Sequence, residues 1–410
     1  MGTGRTLLLA VDGLADGEGE RVLPTGATRL RIRPGGPSEP APALVGLLTG
    51  ASVAQTGVAT QDPFRPDRPG SRSTWYARSL RVPTLFAQAR RAGLVTAALQ
   101  WPATAGAEID LCLPLVEDLG HYRNRWEMAE LTSSPRMAAE HLAPRRAAGV
   151  QLSQVPPDEL VAEIAVDVLA AGPVDLLAAR LTGLGAVRRA EGLDSLQAAR
   201  SLVDTSEALE QIVAAFSPGA GDRLLLVPGR PLLPTALLVH PNAALAAAGL
   251  VDTDGPRLTG FRALVWPDGP RGVLHVRREE GCALRERALT ALAALAAHSR
   301  LQLRGVEDGV GATAETDVIA VLEGTPGTLF GLSATHRPLV EGSDPYYAGP
   351  RAVTDPSAPA TALAQGPGLP AAPAEGSWAD LGVSLARAVG VELPGATASG
   401  LRPVATAQPV

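Results

Sequence analysis

The chain contains no lysine, and all 36 of its basic residues are arginine. No physical demand of a fold excludes lysine at every exposed position, so its absence reflects overall composition and not function. Aromatic residues make up only 3% of the chain. No basic stripe with interleaved aromatics occurs, and the net charge is −6 with a pI near 5.6. Together these argue against a nucleic-acid-binding surface. The two cysteines, Cys112 and Cys282, are too few for a disulfide framework or a cysteine-based metal cluster. No run of about 18 uncharged apolar residues is present, so no membrane span is expected. The opening "MGTGRTLLLAVDG" lacks a long apolar stretch with a small-residue cleavage site. It reads as a strand that begins almost at once, and a cytoplasmic location is the expectation.

What is present is a globular composition, 46% hydrophobic and 19% charged over 410 residues. Short apolar runs end in turn residues: "RTLLLAVDG" (5–13), "GLVTAALQWP" (93–102), "PVDLLAARLTG" (173–183), "DRLLLVPGR" (222–230) and "TDVIAVLEG" (316–324). Continuous apolarity fits strands covered on both faces. Helical patterns lie between them, at "VPTLFAQARRAG", from about Asp158, and over 193–216. Strand alternating with helix predicts an α/β fold with a mainly parallel sheet and helices on both faces. The stretch 232–310 reads differently, as a small α+β insert. Residues 343–376, rich in Pro, Ala and Gly, read as an extended loop before a last helix in 377–395.

Four segments carry a family resemblance. "LLLAVDGL" (7–14) is a strand ending in Asp-Gly. "PALVGLLTGASVAQTGV" (42–58) is a helix with its closing turn. "LFAQARRAGLVTAALQWPAT" (85–104) is helix, strand and Trp-Pro turn, and "SWADLGVSLARAVGVELPGATASGL" is a C-terminal helix. In this order they resemble the alkaline phosphatase superfamily, in particular its type I phosphodiesterase/nucleotide pyrophosphatase branch. The resemblance implies a three-layer α/β/α sandwich with a mainly parallel central sheet. It implies a core of 1–231 and 311–410, with 232–310 as an inserted α+β cap above the sheet's carboxyl edge.

The chemistry this resemblance implies is phosphoryl transfer by two divalent ions that flank a Thr or Ser nucleophile. Each ion needs about three Asp or His ligands, and the carry-over is position by position. The first metal aspartate matches Asp12. The nucleophile position in "EPAPALVGLLTG" (39–50) falls on Pro40, which has no hydroxyl. A slip in register would bring in Ser38, a turn residue in "GGPSEP", or Thr49, a residue that closes the helix. The next Asp and His positions fall on Gly185 and Arg189. The family's Ser-Asp-His-Gly is here Pro228, Gly229, Arg230 and Pro231. The last metal histidine matches His336. One remnant ligand for each ion, Asp12 and His336, cannot hold zinc.

The remaining histidines, His121, His141, His240, His275 and His298, show no i, i+4 or HxH spacing. The acidic stretch "DGLADGEGE" (12–20) lacks the spacing of a calcium loop. The expectation is therefore a metal-depleted pseudoenzyme with a binding or scaffolding role, needing no cofactor. Its partner would be a small anionic ligand or another protein, with no nucleic acid and no membrane. The old site would be lined by Asp12, Arg189, Arg230 and His336. Arg230 would replace the metal beside Asp12, and Arg189 would be left to meet an anion near His336. The alternative is an active phosphodiesterase or phosphatase with an atypical site using zinc or manganese; the C-terminal helix also resembles that of phosphopentomutases.

Overall fold

The computed structural model describes residues 4–404 apart from 24–25, 36–38, 61–63, 65–74, 118–120, 153–156, 300, 306–312, 314 and 345–348. Its centre is a nine-stranded sheet. The strands are β1 (Thr6–Val11), β2 (Thr28–Ile32), β3 (Thr96–Leu99), β4 (Leu111–Leu113), β5 (Leu176–Leu181), β6 (Arg223–Pro228), β7 (Ala360–Gln365), β8 (Ala374–Gly376) and β9 (Arg402–Pro403). Their order is β9-β8-β2-β7-β6-β1-β5-β3-β4. The run β6-β1-β5-β3-β4 is parallel throughout, while β7 runs antiparallel to both of its neighbours. The fold is thus the mainly parallel α/β sandwich that the strand–helix alternation predicts.

Both faces of β1 are buried, and successive side chains serve opposite layers. Leu7, Leu9 and Val11 pack with α3 (Asp158–Ala171) and α5 (Leu196–Phe216). Leu8 and Ala10 pack with α1 (Pro40–Thr49), α2 (Leu85–Arg91) and α8 (Trp378–Val389). A strand with no solvent face reads as an uninterrupted apolar run. The helix expected near 42–50 is α1, with Pro40 in its first turn and Gly50 in the left-handed conformation at its C-terminal end (φ 63°). All ten of its residues are buried. It crosses α8 at Gly382, where a Cβ would come within 2.0 Å of the Leu47 carbonyl oxygen.

A second body of structure follows β6. A four-stranded antiparallel sheet has the spatial order 263–268, 271–277, 316–323, 302–305. Helices α6 (Pro241–Ala247) and α7 (Cys282–Ser299) accompany it, as does a three-stranded sheet of 237–239, 328–330 and 340–342. Its core, with Val239, Leu274, Leu292 and Leu322 fully buried, is separate from the two core layers of the central sheet.

The strand 316–323, expected in the central sheet, lies here. It alternates buried and half-buried residues, with Ile319 half-buried against the same core. Apolar side chains on both faces make this antiparallel strand read like a parallel one. The expected boundary at 310 therefore falls between two paired strands, 302–305 and 316–323. The expected long loop of 343–376 contains three strands, 352–354, β7 and β8. Among the described residues, no helix is long and apolar enough to cross a membrane.

Candidate functional site

Strands β1, β5 and β6 end side by side at the carboxyl edge of the sheet, where open α/β sheets place their sites. Asp12 continues β1, and its N–H donates to the Leu181 carbonyl (2.9 Å). The carboxylate is nearly sealed from solvent, with a side-chain exposure of 6%. Its partner is Arg180 of β5, whose Nη2 donates to one oxygen at 2.6 Å and Nε to the other at 3.2 Å. Arg180 lies opposite Ala10 in register, and its guanidinium is 3% exposed. An arginine does stand beside Asp12 as a fixed cation, and it is Arg180, not the expected Arg230. A two-point fork of this kind compensates a buried carboxylate as a divalent ion would.

The degenerate positions converge on the same aspartate. A Cβ on Gly185 would lie 2.7 Å from the Asp12 Cβ, and one on Gly229 would lie 3.2 Å from the Asp12 Cα. Both are closer than ordinary packing allows. The space that ligand side chains would cross is taken by backbone, and Arg180 covers both carboxylate oxygens. The residues present do not fit a divalent ion at Asp12.

A second carboxylate lies behind this pair. Asp158 accepts from the N–H groups of Thr182 and Gly183 (2.9–3.2 Å) at the start of α4 (Gly183–Glu191), and from the Thr205 hydroxyl. Burial pushes its carboxyl above the usual range against the pull of these bonds, and the charge of Asp12 adds to the rise.

The other expected site residues scatter. Arg189, on α4, is half-buried, and its backbone carbonyl accepts from the Arg351 N–H. Its neighbour Arg188 is the one that turns inward, forking onto Glu18 at 2.7 and 2.8 Å and donating to the Gly13 carbonyl. Arg230 is 2% exposed and donates to the Gly35 carbonyl. Burial, and then the charge of Arg271, push its guanidinium down to about 10; Asp355 acts the other way. Thr49 bonds to Val45 within its own helix, an end-of-helix role. Ser38 lies outside the described residues.

His336 stands in the loop before strand 340–342, and its Nε2 lies 2.8 Å from the Glu341 carboxylate. His240, which no sequence spacing marks as a ligand, stacks on it with ring centroids 4.0 Å apart. The two cysteines are free, and burial pushes the Cys112 thiol up to about 12, an inert state.

Two grooves meet at Pro34 and Gly35. One, of about 560 Å³, runs between Arg230 and the first turns of α1 and α8, past Pro42, Ser377 and Trp378. The other, of about 530 Å³, leads under Arg271, Thr325, Thr354 and Asp355. Either volume is of ligand size. Pro40 and Pro42 remove two of the N–H donors that the first turn of α1 would otherwise offer.

No family model matches the chain, and no curated protein matches it. Solved structures do. Murine ectonucleotide pyrophosphatase/phosphodiesterase 5, in an inactive form in complex with AMP, superposes with a TM-score of 0.62 at 14% identity, over 97% of either chain. The human protein gives a TM-score of 0.61 at 14% identity, over 96% of this chain and 97% of that one. A second murine structure gives 0.60 at the same identity and coverage. The chain therefore has the fold seen in the ectonucleotide pyrophosphatase/phosphodiesterases.

Proposed function

We propose that this protein is a metal-depleted member of that structural class which binds a small anion and does not hydrolyse it. The observation that supports this most is the buried Arg180–Asp12 fork, which stands where a metal-binding carboxylate would be needed. Proline at position 40 and glycine at 185 and 229 agree with it. Arg230 and Arg271 repel one another beside the grooves, so an anion between them would relieve that repulsion. Phosphate groups suit guanidinium forks. The murine neighbour was solved with AMP, which makes a nucleoside monophosphate the first ligand to try.

With zinc or manganese supplied, the purified protein is expected to leave a nitrophenyl phosphodiester uncleaved. AMP or inorganic phosphate is expected to raise Tm by a few degrees at about 100 times Kd, and Arg230→Ala should abolish the shift. Turnover at the roughly 1 s⁻¹ or more common to enzymes would establish the alternative, an active metallohydrolase. A shift that survives Arg230→Ala would place the anion elsewhere.

A further inference from the structure

Beyond the old site, the second body of structure brings three donors together: His240, His336 and Glu341, whose ligand atoms all lie within 4.8 Å of one another. We infer that these three residues form a zinc-type transition-metal site. It is separate from the Asp12 region and shares no residue with it.

The backbone fixes the arrangement. His240 follows strand 237–239 and precedes α6; its N–H donates to the Leu339 carbonyl at 2.8 Å. The Gly331 N–H donates to Val239 at 2.8 Å, tying the His336 loop to the same strand. Glu341 pairs with Leu238 across it. Asn242, fully buried, bonds with its side chain to Val265 on one side and Leu332 on the other, which holds the loop against α6. All three ligands thus sit on hydrogen-bonded scaffold, as a preformed site requires.

The donor atoms lie close enough together to share one ion. Glu341 Oε1 lies 2.8 Å from His336 Nε2 and 3.5 Å from His240 Nε2. Donors held at about 2.1 Å from a tetrahedral zinc stand about 3.4 Å apart. The His240 pair already has that spacing. The His336 pair needs to open by about half an ångström as the proton it shares gives way to the ion.

Gly331 selects which nitrogen serves. A Cβ there would be 2.7 Å from His240 Nδ1, so that edge of the ring is closed by backbone and Nε2 faces the carboxylate. The buried ring nitrogens of His240 make no well-formed hydrogen bond, with the Glu341 carboxylate only weakly engaged at 3.5 Å. A buried imidazole without a hydrogen bond is costly, and a metal at Nε2 removes part of that cost. His336 and Glu341 remain partly open, with side-chain exposures of 39% and 31%. That leaves an entry path and an exposed fourth position for water. Two imidazoles and a carboxylate suit zinc over calcium or magnesium, which prefer oxygen.

The test uses the full chain, freed of metal by chelator and dialysis. Co²⁺ is titrated in and followed by its visible ligand-field absorption, then displaced by Zn²⁺; Zn²⁺ uptake is measured separately by calorimetry. One equivalent is expected, with the absorption intensity of a four- or five-coordinate ion. His240→Ala and Glu341→Ala, each confirmed folded by circular dichroism, should weaken it at least about 100-fold. His121→Gln should leave it unchanged. If folded wild type takes up no zinc at micromolar concentration, or if both variants bind as tightly as wild type, the site does not exist. Should an alanine variant fail to fold, His336→Gln serves in its place and is read in the same way.

Discussion

A single arginine decides whether the centre of this molecule is stable. Arg180 and Asp12 are both almost fully buried and bonded at two points. Such a pair contributes little net stability against an apolar replacement, but breaking it strands a charge. Arg180→Ala is expected to destabilise the fold by about 3–5 kcal/mol in urea unfolding. Arg180→Met combined with Asp12→Leu should recover most of that loss, because no charge is then left behind. A cost below about 1 kcal/mol for the single change would mean that Asp12 has other support. The sequence carried a signal for this pair: Arg180 is a lone cation inside an otherwise apolar strand. A cation in a strand buried on both faces must face a buried anion. The strand order that sets β5 beside β1, and so names Asp12 as that anion, cannot be read from either strand alone. Arg230 and Arg189 drew attention because they replace histidines by position, yet position along a loop does not fix the direction of a long side chain.

Elements were more legible than contacts. α1, α8 and the parallel strands follow from apolar runs bounded by Pro, Gly and Ser, signals that act within a few residues. The sheet that strand 316–323 joins and the pairing of His240 with His336 depend on partners distant in sequence, and nothing local marks either. At the start of α8 the local signal is complete. Ser377 and Asp380 form a reciprocal cap, with the Ser377 N–H and hydroxyl donating to Asp380 at 2.9 and 2.7 Å. The Ser399 N–H and Arg33 also reach the same carboxylate.

Burial pushes the Asp380 carboxyl up, but these bonds and the Arg33 charge outweigh it and hold the group below its ordinary value of 3.8. The folded state therefore binds its proton less readily than the unfolded chain. The cap's contribution is fully present above pH about 4 and is lost as pH falls through the depressed value. Asp380→Ala is expected to cost about 1 kcal/mol at pH 7. The difference between variant and wild type should shrink as the pH approaches 3. A difference that stays constant from pH 7 to 3 would show that packing, not the charged cap, is what the variant loses.

At the scale of the whole molecule, the hydrophobic cores divide the chain. Two layers sandwich the central sheet, while a third core is built from the segments between β6 and β7, with Phe64 from earlier in the chain packed into it. Regions with their own core can open without the rest, since few apolar contacts cross between them. Leu292, fully buried on α7 in that third core, offers a way to loosen one region alone. Leu292→Ala leaves a cavity and should cost about 2–5 kcal/mol. If the third core opens as a unit, amides of strands 263–268 and 271–277 will exchange with solvent at least about 30-fold faster. Amides of β1, β5 and β6 should keep their wild-type protection, because the Leu292 side chain contributes nothing to either layer over them. Exchange that accelerates equally in both regions would mean that the chain unfolds as one cooperative body. Preserved protection in β1 would have a functional corollary. Of the two grooves that meet at Pro34 and Gly35, one is walled by Arg271, Thr325 and Thr354, residues between β6 and β7, and the other, beside Arg230, is walled by α1 and α8. Local opening of the third core would then widen the first groove while the α1 and α8 wall of the second and the Arg180–Asp12 pair stay in place.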